Sequence, residues 1–124
     1  MNEQTRRLKG WLSAVVMLRR ASDALQEEFA QLANCDEAIG EDLVWEMVLE
    51  RRAIGRELAQ RGLRHRVLFD RCELSDDQRQ VLQLRYVQGL SWSRIVERMN
   101  RPRGSLARIH DRALCKVYRK VVGR

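Results

Sequence analysis

The chain of 124 residues is expected to fold as an all-α protein, and three observations lead there. Apolar residues recur at alternating steps of three and four over long stretches, a spacing that gathers side chains on one helix face. Residues that start and stop helices punctuate those stretches. The composition has a single proline, with 44% hydrophobic and 33% charged residues, which suits amphipathic helices and argues against extensive disorder.

The first element is a long stripe. Leu8, Trp11, Val15, Leu18, Leu25, Phe29 and Leu32 keep a heptad rhythm for about three and a half repeats, with Ser22 interrupting one seam position. Such a stripe cannot stand alone in water, so it needs a partner helix from the same chain or from another copy. These residues are the candidate oligomer or partner interface. Asn34-Cys35-Asp36 ends the pattern, and Asp36 or Asp42 is placed to cap a second helix that carries Leu43, Val44, Met47, Ile54, Leu58, Leu68 and Phe69. Gly55 and Gly62 each cost that helix roughly 1 kcal/mol relative to Ala, and a bend is expected near Gly62. Residues 1–73 are therefore expected to form a helical hairpin or coiled-coil segment for dimerisation or partner binding. It would pack on the remainder of the chain or on a twin subunit.

Residues 74–124 are expected to form a separate unit of three helices. Ser75 with Gln78 three residues later is a capping-box pattern, and Asp76 and Asp77 add negative charge where the helix dipole is positive. The helix it starts carries Val81, Leu82, Leu84, Tyr86 and Val87, and Gly89 supplies the left-handed stop. Ser91 caps a short second helix with Trp92, Ile95, Val96 and Met99 inward and Ser93, Arg94, Glu97 and Arg98 outward. That helix must end before Asn100-Arg101-Pro102, because Pro102 suits the first turn of a new helix and not the interior of an old one. The third helix, about 102–118, carries Leu106, Ile109, Ala113 and Val117 on one face and Arg103, Arg108, Arg112, Lys116 and Arg119 on the other. The spacing is that of a helix-turn-helix.

Charge points to the partner. The net +7 is uneven: residues 75–124 carry +8, residues 35–74 carry −2 and residues 1–34 carry +1. A basic excess confined to this three-helix unit favours a polyanion over plain solubility. Lys9, Lys116 and Lys120 are the lysines, and every other basic residue is Arg, which can offer two donors at once to phosphate or to the guanine edge. If about five of these residues neutralise phosphates, affinity should fall with salt at a log–log slope of roughly −4 to −5.

Leu84-Arg85-Tyr86, Ser91-Trp92, Ile109-His110 and Arg112-Ala113-Leu114, held in one register, resemble region four of bacterial sigma factors. They resemble even more the phage-encoded region-four-like regulators of Gram-positive hosts. The resemblance covers about fifty residues closely and the rest only in architecture. It implies that Arg103, Gly104, Ala107 and Arg108 face the major groove and that Arg101 and Arg112 lie against the DNA backbone, with Ser105 and Lys116 also among the DNA-binding residues. Gly104 and Ala107 stand where sigma factors commonly carry long polar side chains, so the expected target differs from the family's minus-thirty-five promoter element. Ala107 can touch a thymine methyl, and Gly104 lets the helix approach closely. Pro102 replaces the hydroxyl residue that often caps this helix, so its start is set by dihedral preference.

Other chemistry finds little support. Cys35, Cys72 and Cys115 are single and widely spaced, as expected for buried free thiols in a reducing cytoplasm. His65 and His110 have no second ligand at metal spacing, and no cofactor is expected. His110 is expected as a hydrogen-bonded core or boundary residue and Trp92 as a core plug between the three helices. Trp11 and Trp45 are read as core residues of amphipathic helices, with an interface role as the alternative. No phosphate loop or nucleophile elbow is present, and Glu27-Glu28 and Asp76-Asp77 are adjacent pairs that point to different helix sides, so no enzyme is expected. No apolar run approaches the roughly 18 residues of a membrane span, and the apolar run after the N-terminus is too short and too soon broken by Arg19-Arg20 to read as a signal peptide.

The expectation is thus a cytoplasmic DNA-binding transcription regulator of phage or prophage late genes, an activator. Its partners would be double-stranded DNA, RNA polymerase and a second copy of itself. The alternatives are a small terminase-like DNA-recognition subunit and a polymerase-binding adaptor that never contacts DNA.

Overall fold

Six helices account for nearly all of residues 2–34 and 40–123, the part of the chain that this computed structural model describes. The first, α1 (Glu3–Leu12), opens on Asn2, whose side-chain oxygen accepts from the Thr5 backbone N–H at 2.9 Å and from its hydroxyl at 2.8 Å. A single residue, Ser13, separates it from α2 (Ala14–Ala33). Ser13 keeps right-handed backbone angles while its hydroxyl donates to the Lys9 carbonyl at 2.7 Å. Back-bonding of this kind bends helices, and it divides between two helices the stripe expected from Leu8 to Leu32.

The long helix α3 (Glu41–Asp70) has 30 residues and spans ~45 Å at the α-helical rise. Gly40 is its N-cap and no side chain caps it, so Asp42 serves in the first turn by charge alone. Cys35 and Asp36 lie outside the described residues. The helix continues through Gly62, where a bend was expected. A Cβ there would sit 3.0 Å from the Val87 carbonyl oxygen, so this glycine provides close approach between α3 and the chain leaving the next helix.

Val16 near the start of α2 and Phe69 near the end of α3 share one cluster, which makes the two helices antiparallel. Val15 and Leu25 of the heptad stripe are buried within the chain, while Leu8, Leu18, Phe29 and Leu32 are half-buried. Much of the stripe is therefore covered by α3. Trp11 and Trp45 are about half exposed, at 50% and 54%, against the reading of both as core. Leu43, assigned to the apolar face of α3, is exposed as well.

The head consists of α4 (Asp76–Tyr86), α5 (Trp92–Met99) and α6 (Arg103–Val121). Ser75 and Gln78 form the reciprocal capping box, and Val81, Leu82, Leu84 and Tyr86 turn inward as the spacing requires. Val81, Leu84, Leu90, Ile95 and Leu106 make a small core under the three helices. A second cluster joins Leu82, Tyr86, Ala113, Leu114 and Val117 of the head to Leu12, Val16 and Phe69 of the N-terminal helices. The core thus crosses residue 73. Cys72 belongs to this cluster, whereas Cys115 is exposed on the outer side of α6 and departs from the expected burial.

Candidate nucleic-acid interface

Backbone chemistry at the two turns aims α6. Gly89 has φ +73°, and across it the Leu90 N–H reaches the Leu84 carbonyl at 3.0 Å. The Ser91 hydroxyl then accepts from the Arg94 N–H and starts α5. Asn100 ends α5 in the left-handed conformation, φ 52° and ψ 46°, which Asn tolerates better than most residues. Asn100 as a C-cap was missed in the sequence, although its side-chain type and its place before Arg101-Pro102 are the signal. Pro102 stands at the N-cap of α6 with extended angles and no side-chain cap, in keeping with a start fixed by dihedral preference.

The two faces of α6 then separate. Leu106, His110, Ala113, Leu114 and Val117 are buried, whereas Arg103, Gly104, Ala107, Arg108, Arg112, Lys116 and Arg119 are exposed and Ser105 is half-buried. A Cβ at Gly104 would meet no atom within 4 Å, so nothing inside the protein demands glycine there. Among the described residues, Arg103, Arg108 and Arg112 have no ion pair or side-chain hydrogen bond. Arg101 and Lys116 are differently placed. Arg101 Nη2 lies 2.6 Å from Asp77 Oδ2, and Lys116 Nζ donates at 2.9 Å to Gln78 Oε1, which also accepts from the Ser75 N–H. Two of the cations expected on DNA thus strap the turn and α6 to the first turn of α4. Exposed pairs of this kind contribute about 0–1 kcal/mol and exchange readily for phosphate.

A buried polar chain braces the back of α6. The His110 Nδ1 lies 3.0 Å from Asp111 Oδ1, and since a carboxylate accepts, the proton sits on Nδ1. Nε2 is then the acceptor for the Tyr86 hydroxyl at 2.6 Å. Burial lowers the His110 pKa, against the raising effect of Asp111, and burial pushes Tyr86 up to about 12. Trp92 packs edge-on against the His110 ring at 5.1 Å and takes the Arg85 guanidinium over its face at 5.0 Å. Trp92 therefore plugs the head, half-buried. Arg85 escaped attention in the sequence as anything beyond one letter of a motif. Its Nη1 donates to the Leu90 carbonyl at 2.9 Å and so pins the turn before α5.

Residues 73–119 match the family model "Sigma-70, region 4". No curated protein and no solved structure matches the chain. Capped turns, a braced α6 and a matching family model converge on one segment: residues 73–119 are a sigma-70 region 4 domain, a helix-turn-helix DNA-binding region.

Proposed function

We propose that the protein is a sequence-specific transcription regulator that inserts α6 into the major groove of double-stranded DNA. The observation that carries this reading is the exposed face of α6, where Arg103, Arg108 and Arg112 have no ion pair or side-chain hydrogen bond among the described residues. Arg103 and Arg108 read base edges, Ala107 and Gly104 admit a thymine methyl and close approach, and Ser105 sits at the rim of the contact. Arg112, Arg101 and Lys116 hold phosphates, the last two by giving up their bonds to Asp77 and Gln78.

The finer role follows from the resemblance of the head to phage-encoded regulators: activation of late genes in a phage or prophage, with RNA polymerase as second partner. The interface for a twin subunit or for polymerase lies on the part of the N-terminal stripe left uncovered. Trp11, half exposed, and Leu8 line a mainly apolar groove of about 680 Å³ with Leu68, Tyr118 and Val121, and this is its best-supported stretch.

The test is selection of bound duplexes from a random pool at two salt concentrations, with the mass in solution measured alongside. One enriched sequence, a salt slope of about −4 to −5 and a dimer support the regulator. A ring of many copies supports a packaging subunit, and no enrichment at either salt supports an adaptor that binds protein alone.

A further inference from the structure

We propose that Arg19 and Arg20 of α2 join Arg85 and Arg94 of the head in a site for one DNA backbone phosphate, which makes the N-terminal hairpin part of the DNA interface. This rests on the DNA-binding reading above.

The site is a cavity of about 130 Å³ where α2, the end of α4 and the start of α5 meet. That space holds several water-sized spheres and so has room for a tetrahedral oxyanion. Four arginines from three helices line it, with Asp23 as the single acidic residue of the lining. Asp23 lies 3.5 Å from Arg19, which leaves Arg20, Arg85 and Arg94 without an ion pair among the described residues. Like charges converge at a cost that an anion shared among them removes.

Arg85 adds a separate observation. Its Nε is the one buried side-chain nitrogen or oxygen without a hydrogen-bond partner among the described residues. Native interiors rarely leave such an atom unsatisfied. Burial lowers the Arg85 pKa, and the charges of Arg20 and Arg103 lower it further. Arg103 opens α6, so the cavity and the start of the reading helix form one positive zone. Ser91 at the N-cap of α5 lines the same cavity. The α2 backbone beside Arg19 is also held against the turn: a Cβ at Gly89 would lie 2.8 Å from Arg19 Cβ and 3.1 Å from the Val15 carbonyl oxygen, so helix and turn are already in contact.

A phosphodiester fits this geometry better than a free ion, because Arg103, which opens α6, lies near enough to Arg85 for its charge to be felt there. The head and α2 would then grip one strand while α6 reads the groove beside it.

The experiment measures affinity for the selected duplex against salt concentration in the unaltered protein, in Arg19→Ala/Arg20→Ala, in the single variant Arg20→Gln, and in Arg51→Ala/Arg52→Ala. The last removes equal charge from the exposed face of α3. Loss of one phosphate contact should reduce the log–log slope by about 1 in the first two variants, equally for specific and unrelated sequences, and leave it unchanged in the α3 control. Arg20→Gln keeps the test decisive if the double variant melts early. An unchanged slope in folded Arg20→Gln and Arg19→Ala/Arg20→Ala overturns the proposal while the DNA reading stands, as does an equal loss in the α3 control. Failure of the unaltered protein to bind any duplex overturns the DNA reading, and this site with it. Inorganic phosphate that shifts the Arg85 Nε resonance without any change of slope assigns the cavity to a free anion and overturns the backbone assignment.

Discussion

Tyr86 is held at both ends by the chain's two histidines. Its hydroxyl donates to His110, and its backbone carbonyl, one of the unsatisfied acceptors at the end of α4, accepts from His65 Nδ1 at 2.7 Å. His65 is buried among Trp11 and Phe69, and burial lowers its pKa, an effect that the Tyr86 bond partly offsets and Arg61 adds to. With both folded-state values below the ordinary 6.5, the unfolded chain takes up protons first as pH falls. Stability should therefore be full above about pH 6.5 and decline below it, until the folded-state values are reached. Thermal unfolding at pH 7.5 and 5 checks this, and the decline should shrink in His65→Gln/His110→Gln; an unchanged decline would show that carboxylates alone cause it. Tyr86 acts at the other extreme, where stability should drop as pH rises from about 10 toward 12.

On the outer face, Arg108→Ala should cost ~1–3 kcal/mol of binding and relax preference at one base position while circular dichroism stays unaltered. Uniform weakening across sequences would reassign Arg108 to the backbone. Gly104→Ala separates folding from recognition. With open space around its Cβ, the change should stabilise the protein by ~0.4–1 kcal/mol and yet weaken duplex binding, because the added methyl meets only DNA. Raised melting temperature with unchanged affinity would remove Gly104 from the interface. The types of these residues were legible in the sequence. The tie of Arg101 and Lys116 to α4 was not, since it joins residues far apart in the chain.

At the scale of elements, the head follows from local rules. Ser75, Gln78, Gly89, Ser91 and Pro102 act through their own backbone and near neighbours, so the starts of α4, α5 and α6 could be read before any packing was known, whereas α6 runs three residues beyond its expected end. Ser75→Ala should accordingly cost ~1 kcal/mol, within the range of lost N-caps, visible as a lower denaturant midpoint with an unchanged m-value. The N-terminal helices obey such rules less closely. The heptad stripe is regular, but Ser13 divides it through a hydroxyl bond to Lys9, and Gly62 serves a contact with Val87 that the sequence does not announce. A glycine chosen for close approach looks the same in a sequence as one that marks a bend.

For the molecule as a whole, the cluster around Leu12, Phe69, Leu82, Tyr86 and Leu114 ties the hairpin to the head. Leu12 is fully buried there, so Leu12→Ala should cost ~2–5 kcal/mol and destabilise the head together with α1 in a single transition. Two separate transitions, with the head melting as before, would show independent units.

The sequence by itself determined the all-α class, the starts of the three C-terminal helices, the inward and outward faces of α6 and the concentration of basic charge beside them. Each depends on spacing along the chain or on residue type, and neither needs to know what lies across from it. Only the tertiary structure decided that α3 covers much of the stripe, that the core crosses residue 73, that two histidines clasp Tyr86 and that Arg19 and Arg20 come to rest beside Arg85. Those juxtapositions join segments tens of residues apart, and the free energy that selects them arises when apolar surfaces close on one another, after local rules have set the helices.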